Sequence, residues 1–209
     1  MSRGRFIVFE GGEGTGKSTQ AERLASRLDA LLTREPGGTR LGADIRGLVL
    51  SAAGETTVSG GAVSDRAEAL LMAADRAQHV DELIEPTLAG GRDVVCDRFI
   101  GSSVAYQGYG RGLDIDIVRA VSGWAAGGLW PDLVIVLTVP REESARRTGG
   151  ARDRIEAAGE AFHDRVAAGF LAQAEDEPET WVVVDGTGSP DEVEERVLDA
   201  VADVLGFEP

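Results

Sequence analysis

The apolar run FIVF at residues 6 to 9 leads into GGEGTGKST at 11 to 19, and Leu24 and Leu28 then recur at helical spacing. Strand, glycine-rich turn and helix in that order leave few folds open, and G-x-x-x-x-G-K-[ST] is the pattern of a phosphate-binding loop. Small residues let successive backbone N–H groups curl round phosphate oxygens at a helix N-terminus. Gly11, Gly12, Glu13, Gly14, Thr15, Gly16, Lys17, Ser18 and Thr19 are therefore the expected cradle for a nucleoside triphosphate, taken as ATP. In such a loop the lysine, Lys17, reaches the β- and γ-phosphates, and the Ser18 hydroxyl is offered to Mg²⁺. Lys17 is the one lysine among 21 basic residues, and the bias toward arginine sets that position apart.

With 209 residues the chain suits a single domain over 1–209, long enough to bury about 70% of its unfolded surface. Cys96 is the only cysteine and His79 and His163 the only histidines, so neither an internal disulfide nor a Cys/His metal cluster is available. A cytoplasmic setting is the natural expectation. The apolar run before Glu10 is too short for a secretory leader, and no uncharged stretch approaches the ~18 residues of a membrane span. A net charge of −15 argues against sequence-independent binding to nucleic acid, which needs a basic footprint to displace counterions. A small anionic ligand requires only a local basic pocket.

Further apolar runs at 30–33, 93–97, 132–139 and 180–185 join 5–9 as five expected strands, separated by helix-like segments. That alternation predicts an α/β fold of the P-loop NTPase type, three layers with a five-stranded parallel sheet flanked by helices. Residues 64–89 read as a helix kinked or restarted at Pro86, 191–206 as a helix stopped by Gly206, and 51–64 as a mobile loop. Without asparagine the guanine-reading N-K-x-D element cannot exist, which removes the commonest GTPase reading and leaves kinases, motors and switches. The strand at 93–97 ends in Asp97, where P-loop proteins often place a carboxylate near the metal, so Asp97 joins Ser18 as a candidate for Mg²⁺.

Behind the loop stand TREPGGTRLGADIR (33–46), DRFIGSSVAYQGYGRG (97–112) and ARDRIE (151–156). In this order they resemble bacterial thymidylate kinases, over about Phe6 to Ala172. The resemblance implies transfer of the γ-phosphoryl of Mg-ATP to dTMP, giving dTDP for dTTP synthesis, by a homodimeric enzyme. It implies that Arg98 and Arg46 hold the dTMP phosphate, with Arg98 and Lys17 catalytic. Glu13 would lie near the sugar 3′-hydroxyl or the metal, and Glu35 and Pro36 in the acceptor pocket. Arg76 would bond the thymine ring, Ser103 and Gln107 its edge, and Tyr106 would crowd a ribose 2′-hydroxyl. Met72 stands where many relatives stack an aromatic ring.

The acceptor phosphate is already mostly dianionic near pH 7, so repulsion between anions, and not a missing base, is the obstacle. Fixed cations answer that obstacle. The phosphate loop has no arginine between Gly11 and Gly16, so a lid at about 141–156, whose residues 141–154 carry five arginines against three acids, is expected to supply them. Arg154 is the expected lid finger, Arg147 and Arg152 are secondary, and Gly149 and Gly150 are candidate hinges. The alternatives are a kinase for another nucleoside monophosphate, or a nucleotide-dependent switch.

Overall fold

A computed structural model describes residues 2–50, 63–148 and 154–206. Five strands, β1 (Phe6–Glu10), β2 (Leu31–Arg34), β3 (Val94–Asp97), β4 (Leu133–Thr138) and β5 (Trp181–Asp185), form one sheet in the order β2-β3-β1-β4-β5. Every pairing is parallel, with Ile7 opposite Val95 on one side and Leu133 on the other. Strand ends differ from the sequence expectation by at most one residue.

β1 lies at the centre and is buried throughout, as its unbroken apolar run requires for a strand covered on both faces. Its side chains divide by parity. Phe6 and Val8 join Val94, Cys96, Val134 and Val136 in one core, and Ile7 and Phe9 join Val95, Ile135 and Leu137 in the other. The second core is closed by α1 (Lys17–Leu28) and α9 (Pro190–Leu205). The first is closed by α2 (Arg40–Leu50), α3 (Asp65–His79), α6 (Ile115–Ala125) and α8 (Glu160–Asp176). Helices on both faces of a parallel sheet give the expected three layers.

Pro86 falls where the helix restarts, as the sequence anticipated. The chain passes from α3 through a π-helical turn, Val80–Ile84, into α4 (Glu85–Ala89), with Pro86 in the first turn of α4. The wider turn accommodates a residue that has no N–H to donate and whose ring would strike the preceding turn. A second π segment, Val104–Gly110, continues α5 (Ile100–Ser103) and carries YQGYG. At the far end, Ser189 and Glu192 form a capping box and Gly206 closes α9 at φ 68°, as the glycine stop anticipated. Among the described residues no helix is long and apolar enough to cross a membrane. The expected mobile loop, apart from its last two residues, and the hinge glycines Gly149 and Gly150 lie outside the described residues, as does Arg152.

Candidate active site

The carboxyl ends of β1 and β3 lie side by side at the sheet centre, where an open α/β sheet places its ligands. From β1 the chain turns at Gly11 (φ 133°), Gly14 (φ 68°) and Gly16 (φ 95°), angles only glycine adopts freely, and enters α1 at Lys17. Lys17 is buried, and its ammonium donates to the Gly12 carbonyl and lies 3.4 Å from Thr15 Oγ1. Burial, and then the Arg98 charge, bring its pKa down to about 8. Thr19 is exposed on the first turn of α1.

Ser18 Oγ donates to Asp97 Oδ2 at 2.5 Å, so the two candidates for Mg²⁺ meet across 79 residues of chain. Asp97 Oδ1 is buried and has no hydrogen-bond partner among the described residues. A hydroxyl beside an unsatisfied carboxylate oxygen suits Mg²⁺, which keeps waters and takes its remaining ligands from phosphates. Among the described residues no cluster of three or more acidic, His or Cys side chains offers a cage made of protein alone.

Arg98 follows directly, with φ 75°, a left-handed conformation unusual outside glycine. Its backbone N–H donates to Phe9 O at 2.9 Å, which ties the turn to β1. Nη1 donates to Gly11 O at 2.9 Å and Ser102 Oγ at 3.1 Å, and Nη2 to Glu13 Oε1 at 2.6 Å. The guanidinium also sits 5.2 Å from the centroid of the Tyr106 ring. Burial opposes its charge, but Tyr106, Glu13, Asp97 and Glu10 outweigh burial and raise its pKa. The same pairing brings Glu13 down to about 2, with Arg98 the leading cause. Tyr106 Oη donates to Glu13 at 3.0 Å, while its ring packs on Phe162 and Phe170 of α8.

Glu10, the last residue of β1, holds this turn in place. It is fully buried and accepts from Phe99 N at 3.0 Å, Ser102 N at 2.8 Å and Ser102 Oγ at 2.6 Å. Burial raises its pKa, against the lowering effects of Ser102 and Arg98.

The 33–46 block shapes a second, adjoining region. Glu35 is buried, with Oε2 at 2.8 Å from Arg76 Nη2 and Oε1 at 3.0 Å from His79 Nδ1. The other His79 nitrogen meets Thr33 Oγ1 at 2.7 Å. Arg46 Nη1 donates to Pro36 O at 3.0 Å. Asp75 accepts from Gly37 N at 2.9 Å, and burial, then Glu35, push it up to about 6.

Arg76 Nη2 donates to Phe99 O at 3.0 Å and Ser103 Oγ at 3.1 Å, yet its buried Nε and Nη1 have no partner among the described residues. A buried guanidinium with idle donors is costly unless a ligand completes it. Met72, half-buried one turn earlier on α3, packs against the core that includes Phe99 and Tyr106. Gln107 Nε2 donates to Glu68 Oε1 at 2.7 Å.

The helix α7 (Arg141–Arg147), where the expected lid begins, is seated on the phosphate loop. Ser144 Oγ donates to Glu13 O at 2.7 Å, and Arg147 Nη1 to Gly186 O at 3.1 Å. A cleft of about 660 Å³ lies between the loop, α7 and α8, with Arg141, Arg147 and His163 in its wall.

The family model described as thymidylate kinase matches residues 9–197, which contain every part of this site. The chain belongs to the thymidylate kinase family.

A thymidylate kinase from Halothermothrix orenii is 45% identical over 213 residues, covering 97% of this chain and 99% of that protein. One from Synechococcus sp. is 48% identical, covering 94% and 93%. The crystal structure of thymidylate kinase from Ehrlichia chaffeensis superposes with a TM-score of 0.77 at 30% identity, covering 95% of this chain and 99% of that one. The P-loop kinase fold expected from the sequence is therefore the fold of this family.

Of the residues singled out in the sequence, the structure gathers Lys17, Ser18, Asp97, Arg98, Glu13 and Tyr106 at one centre, and Glu35, Arg46, Arg76 and Ser103 at the adjoining one. Arg154, the expected lid finger, has Nε donating to Val49 O at 3.0 Å and Nη2 paired with Glu68. A buried carboxylate already shared with Arg111 and Gln107 outcompetes solvent for this side chain. Arg147, secondary with Arg152 in the sequence reading, lies beside the loop, 3.9 Å from where a Cβ on Gly16 would stand.

Sequence reading missed Glu10, Glu68, His79 and Ser144. A charge closing an apolar strand signalled Glu10, and polar residues in register with Arg76 on one helix signalled Glu68 and His79. Nothing local marked Ser144.

Proposed function

We propose that this chain transfers the γ-phosphoryl group of Mg-ATP to dTMP, giving dTDP, with the 97–107 segment joining donor and acceptor. The observation that carries the acceptor is the buried Arg76 guanidinium with idle Nε and Nη1 beside Ser103. It can only donate, so it favours a base with a carbonyl at its edge, as in thymine, over one with an amine. Met72 supplies a polarisable apolar wall for the flat ring.

On the acceptor side, the dianionic phosphate of dTMP needs no base. Arg98, held between Gly11 and Glu13, and Arg46, held by Pro36, supply cations that offset repulsion between the two phosphates. Because Arg98 is positioned by backbone and by Ser102 before any ligand arrives, little reorganisation is needed at the moment of transfer. Tyr106, fixed by Glu13 and two phenylalanines, forms a rigid wall against a 2′-hydroxyl. On the donor side, Lys17 neutralises the β- and γ-phosphates, and Arg147 approaches from α7. Ser18 and Asp97 would hold Mg²⁺, which supplies further positive charge to the same oxygens.

A homodimer and a cytoplasmic setting belong to the same reading. Exposed Leu41 on α2, Leu70 on α3, and Ile117 and Trp124 on α6 lie on three helices that pack side by side, a surface suited to a second copy. Sedimentation at tens of micromolar should show twice the monomer mass; a monomer would contradict the pairing. The single free thiol, Cys96, is buried and suits a reducing compartment.

The test is ADP release with Mg-ATP and a panel of dTMP, dUMP, dCMP, dGMP, AMP and UMP. The highest kcat/KM should belong to dTMP. Better use of another monophosphate would discard the thymine assignments, and no acceptor-dependent turnover would favour a switch.

A further inference from the structure

Glu68 lies at the start of α3, two turns before Arg76, and is fully buried. Three side chains from different parts of the chain converge on it. Gln107 Nε2 donates to Oε1 at 2.7 Å, Arg111 donates to Oε1 at 3.4 Å and Oε2 at 3.1 Å, and Arg154 pairs with Oε2. The two guanidiniums are themselves anchored, Arg154 on Val49 O and Arg111 at 4.6 Å from the centroid of the Phe162 ring. Burial alone would raise the Glu68 pKa, but Gln107, Arg111 and Arg154 outweigh it and lower it, so the carboxyl is ionised.

An ionised carboxylate can only accept. The Gln107 amide therefore has one orientation beside it: nitrogen toward Glu68, oxygen turned away. Among the described residues Gln107 Oε1 makes no hydrogen bond. Gln107 stands one helical turn beyond Ser103, which meets Arg76, while Glu68, Met72 and Arg76 follow at four-residue intervals along one face of α3. Two polar rungs, Arg76 with Ser103 and Glu68 with Gln107, thus bracket Met72.

We infer that Glu68 is a positioning residue for acceptor choice: it locks the Gln107 amide so that its oxygen, an acceptor, faces the base. The inference rests on the dTMP reading above. Thymine presents an N3–H donor to that oxygen and its O4 acceptor to Arg76. Cytosine presents an N3 acceptor and an N4 donor, and would meet the wrong partner at both places. Arg76 and Gln107 thereby read complementary features of one base edge, and Glu68 fixes the polarity of the second reader.

The experiment compares kcat/KM for dTMP and dCMP in the wild type, Glu68→Gln, Glu68→Asp and Gln107→Ala, with thermal midpoints for each. In Glu68→Gln the new carbonyl faces the two guanidiniums and the new NH₂ faces Gln107, turning that amide round. The dTMP:dCMP ratio should fall roughly tenfold or more, because a donor then faces the thymine N3–H. Glu68→Asp keeps an acceptor-only group and should keep the ratio even if both rates fall. Equal losses for both substrates in Glu68→Gln, or a ratio lost in Glu68→Asp, would overturn the inference. An unchanged ratio in Gln107→Ala would instead remove Gln107 from the base pocket, and with it that part of the dTMP reading.

A second measurement needs no variant. In ¹⁵N-labelled wild-type protein the Gln107 side-chain NH₂ should exchange slowly with water before dTMP is added and remain so afterwards. An NH₂ signal in fast exchange, or one protected only by dTMP, would show that Glu68 does not hold it.

Discussion

Replacing Glu10 by alanine should damage stability and catalysis together. The carboxylate accepts from Phe99 N, Ser102 N and Ser102 Oγ, so truncation leaves two backbone N–H groups and a hydroxyl without their acceptor. Each orphaned buried N–H costs roughly 1–3 kcal/mol, and the removal of a buried carboxyl offsets part of the sum. A net loss of about 3 kcal/mol follows, which for a chain of this size lowers Tm by roughly 6–12 °C. Catalysis should suffer because the freed segment holds Arg98 at φ 75°, and Ser102 Oγ accepts from its guanidinium. We expect kcat to fall at least tenfold by rough comparison with the loss of other preorganised charge contacts. Glu10→Gln retains a carbonyl oxygen for both N–H groups and should lose only about 1 kcal/mol. Calorimetry and steady-state assays on both variants are the check. A cavity of about 130 Å³ borders Glu10, and water entering it could replace the lost acceptor. A Glu10→Ala midpoint within 2 °C of wild type, or an unchanged kcat, would refute the reasoning.

Lys17, with its pKa at about 8, must be charged to hold phosphates, so kcat/KM for ATP should decline as pH rises past about 8. A flat profile through pH 9.5 would contradict this assignment. Asp75 lies at about 6 in the fold against 3.8 when unfolded, so the native state binds the extra proton between those values. Its contribution is complete below pH 3.8 and lost as pH rises through 6, a swing of about 3 kcal/mol. Asp75→Asn should remove that slope from urea midpoints measured between pH 4 and 7, and an unaltered slope would count against it. Gly38→Ala would drive a methyl into His79 Nε2 and to 2.9 Å from the Arg34 carbonyl. Overpacking of this kind costs roughly 1–3 kcal/mol, and the dTMP KM should rise; a wild-type midpoint and KM would contradict it. Met72→Phe should lower the dTMP KM by offering a stacking ring, and an unchanged or higher KM would defeat the proposal that Met72 lines the base slot.

Much of the fold was legible because its determinants are local. The five strands are short apolar runs, and the three central ones, β1, β3 and β4, are buried on both faces. The phosphate loop was equally plain, since Gly11, Gly14 and Gly16 adopt positive φ and no other residue fills those positions without strain. The meeting of Ser18 with Asp97 was anticipated for the same reason: each ends or begins an element whose place in a parallel sheet is set by the alternation of strands and helices.

The partners of long side chains were not legible in this way. Arg154 and Arg147 both lie in an arginine-rich stretch, and spacing gave no ground for sending one to Glu68 and the other to Gly186 beside the loop. Glu10 read only as the residue that ends an apolar run, although it organises a turn some 90 residues later. The sequence alone determined the strands, the phosphate loop and the family resemblance, because backbone conformation and burial follow from neighbouring residues. Only the tertiary structure decided which arginine lies beside the phosphate loop, which one pairs with Glu68, and which way Gln107 faces. Those choices depend on where buried carboxylates lie, and such groups bind whichever donor the packing of distant segments brings within reach.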